Sequence, residues 1–400
     1  MKYAAKMIAL SLLSFCLSQY ALALPASESS VEATFNMPGF NGGVATTIED
    51  KAVELTRRAA AGSQIFVSMY EFDSRVLAKE FLAANARGVT IRLVLDGKSK
   101  KFSSVPGHPV EMLTGSEGRA GLECKSASGS SMPCVTFCKS LIGSSCRGLH
   151  INHNKFYLFS ALSDGRESVV MQTSMNANKN QYHQHNDALM VYDNTELYEG
   201  YLTYWMSLQS DKFRLGKFPT LTAGDNATAY FFPRLIGSDP VLANLKKVGC
   251  HLPGSSVRVV QSRFDNSRSK VAKQLAKLRS EGCRIHVIAR QESDVKSPGT
   301  KIEVLIKPDL TVLAYKGKGA PDQSQNSVHS KLILIDASFD GSPDRKAIVM
   351  SGSHNLNLTS LKTNDETLLR ITNRKIFEKY SQYFNAIIES ARASGKILND

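Results

Sequence analysis

An internal repeat constrains the fold of this chain more than any other feature of its sequence. Residues 63–96 and 255–290 each begin with an alternating, β-rich run that ends in Phe-Asp. Each continues with an amphipathic helical pattern that stops at a glycine, Gly88 or Gly282, and then with a second apolar run. Strand, helix and strand in this order predict two parallel strands joined by a crossover helix, once in each half of the chain.

The repeat continues downstream through short polar motifs. Their equivalent His, Asn and Asp positions are offset by 176, 179 and 178 residues, and a long helical pattern follows each time. We therefore predict a duplicated α/β fold of two mixed sheets flanked by helices, with halves at 24–215 and 229–400 packed about a pseudo-twofold around one shared site. The paired motifs are HNKFYLFS (153–160) with HSKLILID (329–336), QTSMNAN (172–178) with SGSHNLN (351–357), and HNDALMVYD (185–193) with TNDETLLRI (363–371).

The N-terminus has the layout of a secretory signal. Lys2 and Lys6 precede an apolar stretch that is too short to span a bilayer, and Ala21-Leu22-Ala23 offers a small-x-small cleavage site. We expect residues 1–23 to be a signal peptide that is cleaved after Ala23. The mature protein is then expected to be soluble and either secreted or periplasmic.

The cysteines of the expected mature chain favour disulfides, because their number is even and the chain is expected to be exported. Zinc is the alternative for the first four, but their spacing lacks the paired C-x-x-C of common zinc sites. The last two each precede a strand of the second repeat, so a bridge between them would fit two neighbouring parallel strands. The six candidates are Cys124, Cys134, Cys138, Cys146, Cys250 and Cys283.

The chain is basic, with a formal net charge of +13 at pH 7 that becomes +11 when Lys2 and Lys6 leave with the signal. Such a charge favours anionic partners, including phosphodiesters, nucleic acids and acidic membrane surfaces. A protein whose surface charges only keep it soluble could have the same net charge. The charge is therefore compatible with both interpretations.

The repeated polar residues predict a site for a phosphodiester. One intervening residue places His153 with Lys155, and His329 with Lys331, on one face of a strand. Apolar runs without alternation follow each lysine, which is typical of strands buried on both faces, so each polar pair should lie at a strand end that opens on a cleft. Two histidines supply a nucleophile and a proton donor. Neutral donors for the phosphate oxygens are expected from Ser174, Asn176, Ser353 and Asn355.

This set of residues resembles the phospholipase D superfamily, whose mark is H-x-K-x4-D followed by G-S-x-N, present twice. The second copy is complete and includes Asp336 and Gly352, whereas the first has Ser160 in place of the aspartate and Thr173 in place of the glycine. The resemblance covers nearly the whole mature chain. Asp336 is expected to be structural, because five strand positions separate it from Lys331.

The resemblance implies a two-step displacement that uses neither a metal ion nor a cofactor. His153 is expected to attack phosphorus and form a phosphohistidine, while His329 protonates the leaving alcohol and then activates water. A carboxylate downstream of each Ser-x-Asn is expected to orient a histidine. The candidates are Asp187 in the first copy and Glu366, or its neighbour Asp365, in the second.

The preferred function from the sequence is a phospholipase D that acts on a phospholipid or membrane surface, as a monomer because one chain carries both copies. The main alternative is a secreted, metal-independent endonuclease of the same superfamily, with nucleic acid as its partner. A non-catalytic anion-binding module is disfavoured, because the fold alone requires none of the repeated polar residues. A zinc site is also disfavoured, because Lys155 would repel the cation from the candidate ligands His150, His153, His183 and His185.

Overall fold

The expected signal peptide, residues 1–23, lies outside the part of the chain that the structure describes. Within that part, no helix combines the length and the apolarity needed to cross a membrane. The computed structural model describes residues 30–124, 133–140, 142–211, 218–290, 301–313 and 326–397.

The first half forms a mixed sheet with the order β1-β7-β6-β5-β2-β3-β4. β2, β3 and β4 are mutually parallel, and the other neighbours pair in antiparallel fashion. The strands are β1 (Ser30–Asn36), β2 (Gln64–Met69), β3 (Thr90–Leu95), β4 (Val135–Phe137), β5 (Lys155–Ala161), β6 (Glu167–Thr173) and β7 (Gln184–Tyr192).

The second half forms a sheet with the equivalent order β13-β12-β11-β15-β16-β17-β9-β8. One short strand of this half, β14, pairs instead with β7 of the first sheet, so the two halves are joined by backbone hydrogen bonds. The strands are β8 (Thr220–Ala223), β9 (Ala227–Phe232), β10 (Val248–Gly249), β11 (Ser256–Gln261), β12 (Arg284–Ala289), β13 (Leu310–Val312), β14 (Ser327–Val328), β15 (Lys331–Phe339), β16 (Arg345–Gly352) and β17 (Glu366–Thr372).

Helices pack on both outer faces and between the sheets. α1 to α3 cover the first sheet, α5 to α7 cover the second, and one apolar cluster joins α4 and α9 to the inner faces of both sheets. The prediction of a duplicated fold with two mixed sheets flanked by helices is confirmed. The helices are α1 (Thr47–Arg58), α2 (Arg75–Ala86), α3 (Pro109–Thr114), α4 (Thr195–Gln209), α5 (Pro240–Leu245), α6 (Ser269–Ser280), α7 (Lys301–Ile306), α8 (Leu358–Lys362) and α9 (Arg374–Ala393).

The strand–helix–strand repeat folds as its pattern predicts. α2 connects the parallel pair β2 and β3, and α6 connects the parallel pair β11 and β12. Gly88 and Gly282 follow the ends of these two helices with positive φ angles of 92° and 100°. This left-handed conformation is available to glycine without strain, and it turns the chain into the next strand.

Strands β5 and β15 occupy equivalent central positions in the two sheets. Residues 155–159 and 331–335 are all buried, because each strand has outer helices on one face and the central layer on the other. This explains the apolar runs without alternation. The lysine at the start of each strand pairs with the last residue of an antiparallel neighbour, Lys155 with Met69 of β2 and Lys331 with Gln261 of β11, and β2 and β11 each belong to a parallel pair. Both lysines therefore lie at the edge where the parallel strands end.

Strands β8 and β9 lie beside β17, as β1 lies beside β7. The segment 216–228 between the expected halves thus includes β8 and the first residues of β9, both of which belong to the second sheet.

The six cysteines of the expected mature chain form three disulfides, which confirms that prediction. Cys124 pairs with Cys134, Cys138 with Cys146, and Cys250 with Cys283, with Cα–Cα distances of 5.5, 4.4 and 5.0 Å. The bridge between Cys250 and Cys283 joins the residue after β10 to the residue before β12, at the opposite edge of the sheet from Lys331. Cys138 and Cys146 also lie close to the Asp365 carboxylate. Their sulfurs are bonded to each other, so neither is a thiolate that could bind a metal ion.

Candidate active site

The two His-Lys pairs lie at matching places where the halves meet. His153 precedes β5 by two residues and His329 precedes β15 by two residues. Lys155 Nζ donates a hydrogen bond to the His153 carbonyl oxygen at 2.7 Å, and Lys331 makes the equivalent bond to the His329 carbonyl. Both histidines are buried, at 8% and 9% exposed, so a small part of each reaches the solvent side of the cleft.

His153 is oriented by a carboxylate from the other half of the molecule. Its Nδ1 lies 2.9 Å from Oε2 of Glu366, the first residue of β17. Glu366 is fully buried, and its other oxygen accepts a hydrogen bond from Asn364 Nδ2 at 3.1 Å. Because a carboxylate only accepts, it fixes the proton of neutral His153 on Nδ1 and leaves Nε2 with a free lone pair.

His329 is oriented by neutral acceptors from the first half. Its Nδ1 lies 3.0 Å from both the Ser174 carbonyl oxygen and Asn186 Oδ1. Asn186 and Glu366 occupy equivalent positions, because the His329 backbone N–H bonds the carbonyl of the residue before Asn186 and the His153 N–H bonds the carbonyl of the residue before Glu366. The site therefore pairs one histidine with a carboxylate and the other with an amide.

The expectation that Asp187 orients a histidine does not fit its hydrogen bonds. Its carboxylate is buried and accepts hydrogen bonds from Ser174 Oγ at 2.9 Å, from Tyr380 at 3.0 Å and from Ser351. These partners tie β7 to β16 and α9 of the second half. Asp365, the alternative to Glu366, likewise binds backbone N–H groups of residues 146–148 and not a histidine side chain.

The Ser-x-Asn residues are brought to the same place, but serine and asparagine differ in what they do there. Ser174 Oγ accepts a hydrogen bond from the Asp187 backbone N–H, and Ser353 Oγ accepts one from the Thr367 N–H, so both serines fix the neighbouring strand. Asn176 and Asn355 are buried, and neither Oδ1 has a hydrogen-bond partner among the described residues. These unpaired oxygens are acceptors, so any contact of Asn176 or Asn355 with a phosphate oxygen would have to come from the Nδ2 donors.

Burial makes the charged forms of the His-Lys pairs costly. It lowers the pKa of Lys155 to about 8, although Glu366 opposes this effect. It also lowers the pKa of Lys331 well below its usual value, and Lys155 and Arg290 add repulsion there. A bound phosphodiester would bring the negative charge that two buried ammonium groups lack.

The same forces act on the two histidines. Burial lowers the pKa of His153 to about 4 despite the opposing effect of Glu366. Burial also lowers the pKa of His329, and the Lys331 and Lys155 cations lower it further. Burial alone would raise the pKa of Glu366, but His153 and Lys155 bring it down to about 2, so this carboxylate is ionised at neutral pH.

Sequence reasoning missed the residues that surround His153. The Tyr70 ring lies 5.2 Å from the His153 ring and 5.4 Å from Lys155 Nζ. Tyr70 follows the end of β2 directly, and the rule that ligands bind beyond the carboxyl ends of parallel strands would have pointed to it. Sequence reasoning also missed Asn186, the acceptor beside His329, because its neighbour Asp187 is chemically the stronger acceptor.

A cavity of about 570 Å³ opens beside Tyr70. Its wall includes Lys98, Phe102 and His108 from the long insertion 97–148, together with Asp96 at the end of β3. Residues of this insertion therefore lie near the site. The cavity is large enough to receive one substituent of a phosphodiester bound at the His-Lys pairs.

Comparisons with known proteins agree with this arrangement. A family model described as "Cardiolipin synthase, PLD-like domain" matches residues 56–208 and again residues 251–388, one match for each half. A search of curated protein sequences finds no significant match.

Among solved structures, phosphatidylserine synthase of Haemophilus influenzae superposes with a TM-score of 0.56 at 11% identity, over 92% of this chain and 87% of that one. Polyphosphate kinase of Porphyromonas gingivalis superposes with a TM-score of 0.52 at 13% identity over 88% of this chain. The present chain spans about half of that kinase, 49% of its length. These likenesses show the shared fold. The paired family match establishes that the chain belongs to the PLD-like domain family of the phospholipase D superfamily.

Proposed function

We propose that the chain is a phosphodiesterase of phospholipase D type, which hydrolyses a glycerophospholipid to phosphatidate and the headgroup alcohol through a phosphohistidine. The observation that carries the proposal is the unequal support of the two histidines. His153 donates its Nδ1 proton to the Glu366 carboxylate, whereas His329 faces only neutral acceptors. Two like groups with different surroundings can divide the nucleophile and acid roles.

His153 is the nucleophile in this scheme. Its Nε2 lone pair attacks phosphorus, an N–P bond forms, and the bond between phosphorus and the headgroup oxygen breaks. The imidazole gains positive charge in this step, and the ionised Glu366 at 2.9 Å from Nδ1 stabilises that charge in a buried site. Lys155, Lys331 and the carboxamides of Asn176 and Asn355 are the proposed contacts of the phosphate oxygens.

His329 is the general acid. Because both of its Nδ1 neighbours are acceptors, Nδ1 keeps its hydrogen in either charge state, and Nε2 is the atom that gives the proton to the headgroup oxygen. Burial lowers the pKa of His329, and the negative charge of a bound phosphodiester opposes that effect, so protonation accompanies substrate binding. In the second step, neutral His329 takes a proton from water, which attacks phosphorus and releases His153.

Two features support a lipid substrate. One chain supplies both halves of the site, and the cavity of about 570 Å³ beside Tyr70 offers room for a substituent of the phosphate. The second candidate function is a metal-independent endonuclease. The net charge of +13 favours that candidate. The cavity wall favours neither substrate by its charge, because it carries three lysines (Lys98, Lys101 and Lys179) and three carboxylates (Glu71, Asp73 and Asp96).

The test incubates the purified chain with phosphatidylcholine, phosphatidylethanolamine, single-stranded DNA or double-stranded DNA in the presence of a chelator. Headgroup release is the expected result, and DNA cleavage without lipid turnover would favour the endonuclease. Loss of activity with the chelator would contradict chemistry without a metal ion.

Two variants test the roles of the histidines. His329→Ala should lose about 100-fold or more of its rate on natural lipids, yet it should keep the first step on phosphatidyl-p-nitrophenol, whose leaving group needs no proton. His153→Ala should form no phosphoenzyme with either substrate. Equal losses of His329→Ala on both substrates would contradict its role as the acid.

A further inference from the structure

A disulfide-closed loop of the first half holds one carboxylate of the second half. Asp365 is fully buried, and its Oδ2 accepts a hydrogen bond from the Cys146 backbone N–H at 2.6 Å, while Oδ1 accepts one from the Gly148 N–H at 2.8 Å. The Arg147 N–H lies 3.2 Å from both oxygens. Three consecutive N–H groups that converge on one carboxylate form an anion nest. The disulfide from Cys146 to Cys138 closes a loop that ends at the first residue of this nest, and the other two donors, Arg147 and Gly148, follow it directly.

The same residue also fixes the backbone at the active site. The Asp365 carbonyl accepts a hydrogen bond from the His153 N–H, and its own N–H donates to the Ile151 carbonyl, both at 2.9 Å. The next residue is Glu366, whose carboxylate binds His153 Nδ1. Because successive side chains of an extended segment point to opposite faces, anchoring Asp365 in the nest directs Glu366 toward the histidine.

The residue before the acceptor of His329 is not a carboxylate held in a nest. The position equivalent to Asp365 is His185, whose carbonyl bonds the His329 N–H. The His185 ring is buried and stacks on Phe40 with centroids 4.8 Å apart. The fold therefore accepts a very different side chain at this position, and the nest belongs to the side of the site that carries the carboxylate.

We propose that Asp365 and the loop closed by Cys138–Cys146 form a positioning element that holds Glu366 against His153. This inference rests on the proposed function, in which His153 is the nucleophile. Without the disulfide, the loop gains conformational freedom and the three N–H groups no longer converge. Glu366 then samples positions in which it does not fix the Nδ1 proton of His153, and a displacement of about 1 Å costs on the order of 100-fold in rate.

The test compares two double variants that undergo the same chemical change. Cys138→Ser with Cys146→Ser removes the bridge of the nest, and Cys250→Ser with Cys283→Ser removes a bridge at the opposite edge of the second sheet. We expect the first to lower kcat by about 10- to 100-fold with KM changed less than twofold, and the second to change kcat less than twofold. Equal effects of the two would overturn the proposal.

A second readout needs no turnover. The ¹⁵N spectrum of histidine-labelled protein reports the Nδ1 proton and tautomer of His153, which His153→Ala assigns. We expect this signal to shift or broaden without the nest disulfide and to stay unchanged in the control. Asp365→Asn, which turns an amide N–H toward the nest, should give the same spectral change. An unaltered His153 signal in a folded variant contradicts the proposal, and so does unfolding of both nest variants.

The two readouts separate this inference from the proposed function. If the unmodified chain cleaves no lipid, the proposed function fails, while the spectrum still decides whether the nest positions Glu366 against His153.

Discussion

The two histidines at the site are identical in chemistry and differ in what accepts the hydrogen on Nδ1. Glu366 gives His153 an ionised acceptor, and Asn186 gives His329 an uncharged one. A carboxylate stabilises an imidazolium far better than an amide does in a buried site. The structure thus supports assigning the nucleophile to His153, where positive charge develops and persists in the phosphohistidine.

This assignment predicts the pH dependence of the first step. With phosphatidyl-p-nitrophenol, which needs no acid, kcat/KM should rise with pH as His153 loses its proton near pH 4 and fall as the buried lysines Lys155, near pH 8, and Lys331 lose their charge. Glu366 raises the pKa of His153 and of both lysines, so Glu366→Gln should move both limbs to lower pH. Stopped-flow measurement of the nitrophenol burst tests this, and limbs that stay in place or move upward would contradict it.

The sequence predicted both His-Lys pairs but not the acceptor of His329, for a reason of register. Aligning the two Asn-Asp dipeptides places Asp187 opposite Asp365, yet twelve positions separate Ser174 from Asn186 and thirteen separate Ser353 from Glu366. A shift of one residue turns a strand side chain to the other face. Asp187 therefore points to Tyr380 and Ser351, and its neighbour Asn186 takes the position at the histidine.

At the level of elements, β5 and β15 show which part of the H-x-K-x4-D pattern serves the fold. Asp336 lies five residues beyond Lys331, about 16 Å along the strand. Its carboxylate binds Arg374 at 2.8 Å and lies 3.4 Å from an Arg345 nitrogen, so it joins β15 to α9 and β16. In the first half, Ser160 Oγ accepts a hydrogen bond from the Gln64 N–H at the start of β2. Asp336 and Ser160 therefore each stabilise contacts of the fold at the end of the strand that lies away from the cleft.

Asp336→Ser, which copies the first half, should therefore affect stability and not chemistry. The lost ion pairs are partly exposed, so the free energy of unfolding should fall by about 0.5–1 kcal/mol. kcat should change less than twofold, since no group at the cleft moves. Urea denaturation and lipid turnover of the same preparation measure both quantities, and a tenfold loss of kcat with a small change in stability would show a catalytic role.

Helices and strands were predictable from the sequence where the pattern of neighbouring residues determines them. Helix ends at Gly88 and Gly282, and the parallel pairs they connect, follow from short-range patterns. The pairing of β14 with β7 across the halves is not predictable in this way, because a two-residue strand has no pattern of its own. The nest around Asp365 was not predictable from local patterns either, because its donors lie more than 200 positions away in the sequence.

At the scale of the whole molecule, each half completes the other. The second half supplies Glu366 to His153, and the first half supplies Asn186 and the Ser174 carbonyl to His329. The duplication gives the site its two histidines, and the divergence of one acceptor position gives them different hydrogen-bond acceptors, on which the proposed division of roles rests. Because of this exchange, the carboxylate that orients His153 is Glu366 of the second half and not Asp187 of the first.

If the acceptors set the roles, exchanging them should transfer the phosphorus linkage. Glu366→Gln combined with Asn186→Asp puts the carboxylate beside His329 and an amide beside His153. Asn186 Nδ2 donates to the Gln181 and Gln184 carbonyls, so the exchange leaves two acceptors unpaired and should cost about 1–3 kcal/mol of stability. We expect the trapped phosphatidyl-histidine to move from the peptide of His153 to that of His329.

Alkaline quenching followed by peptide mass spectrometry locates the adduct in that variant. Glu366→Gln alone is the matched control, and it should weaken labelling of His153 without creating a label on His329, because neither histidine then has a carboxylate. An adduct that remains on His153 in the double variant would mean that the substrate's orientation, set by the cavity beside Tyr70, decides which histidine attacks. The unequal acceptors would then tune the rate of a reaction whose direction the insertion 97–148 determines.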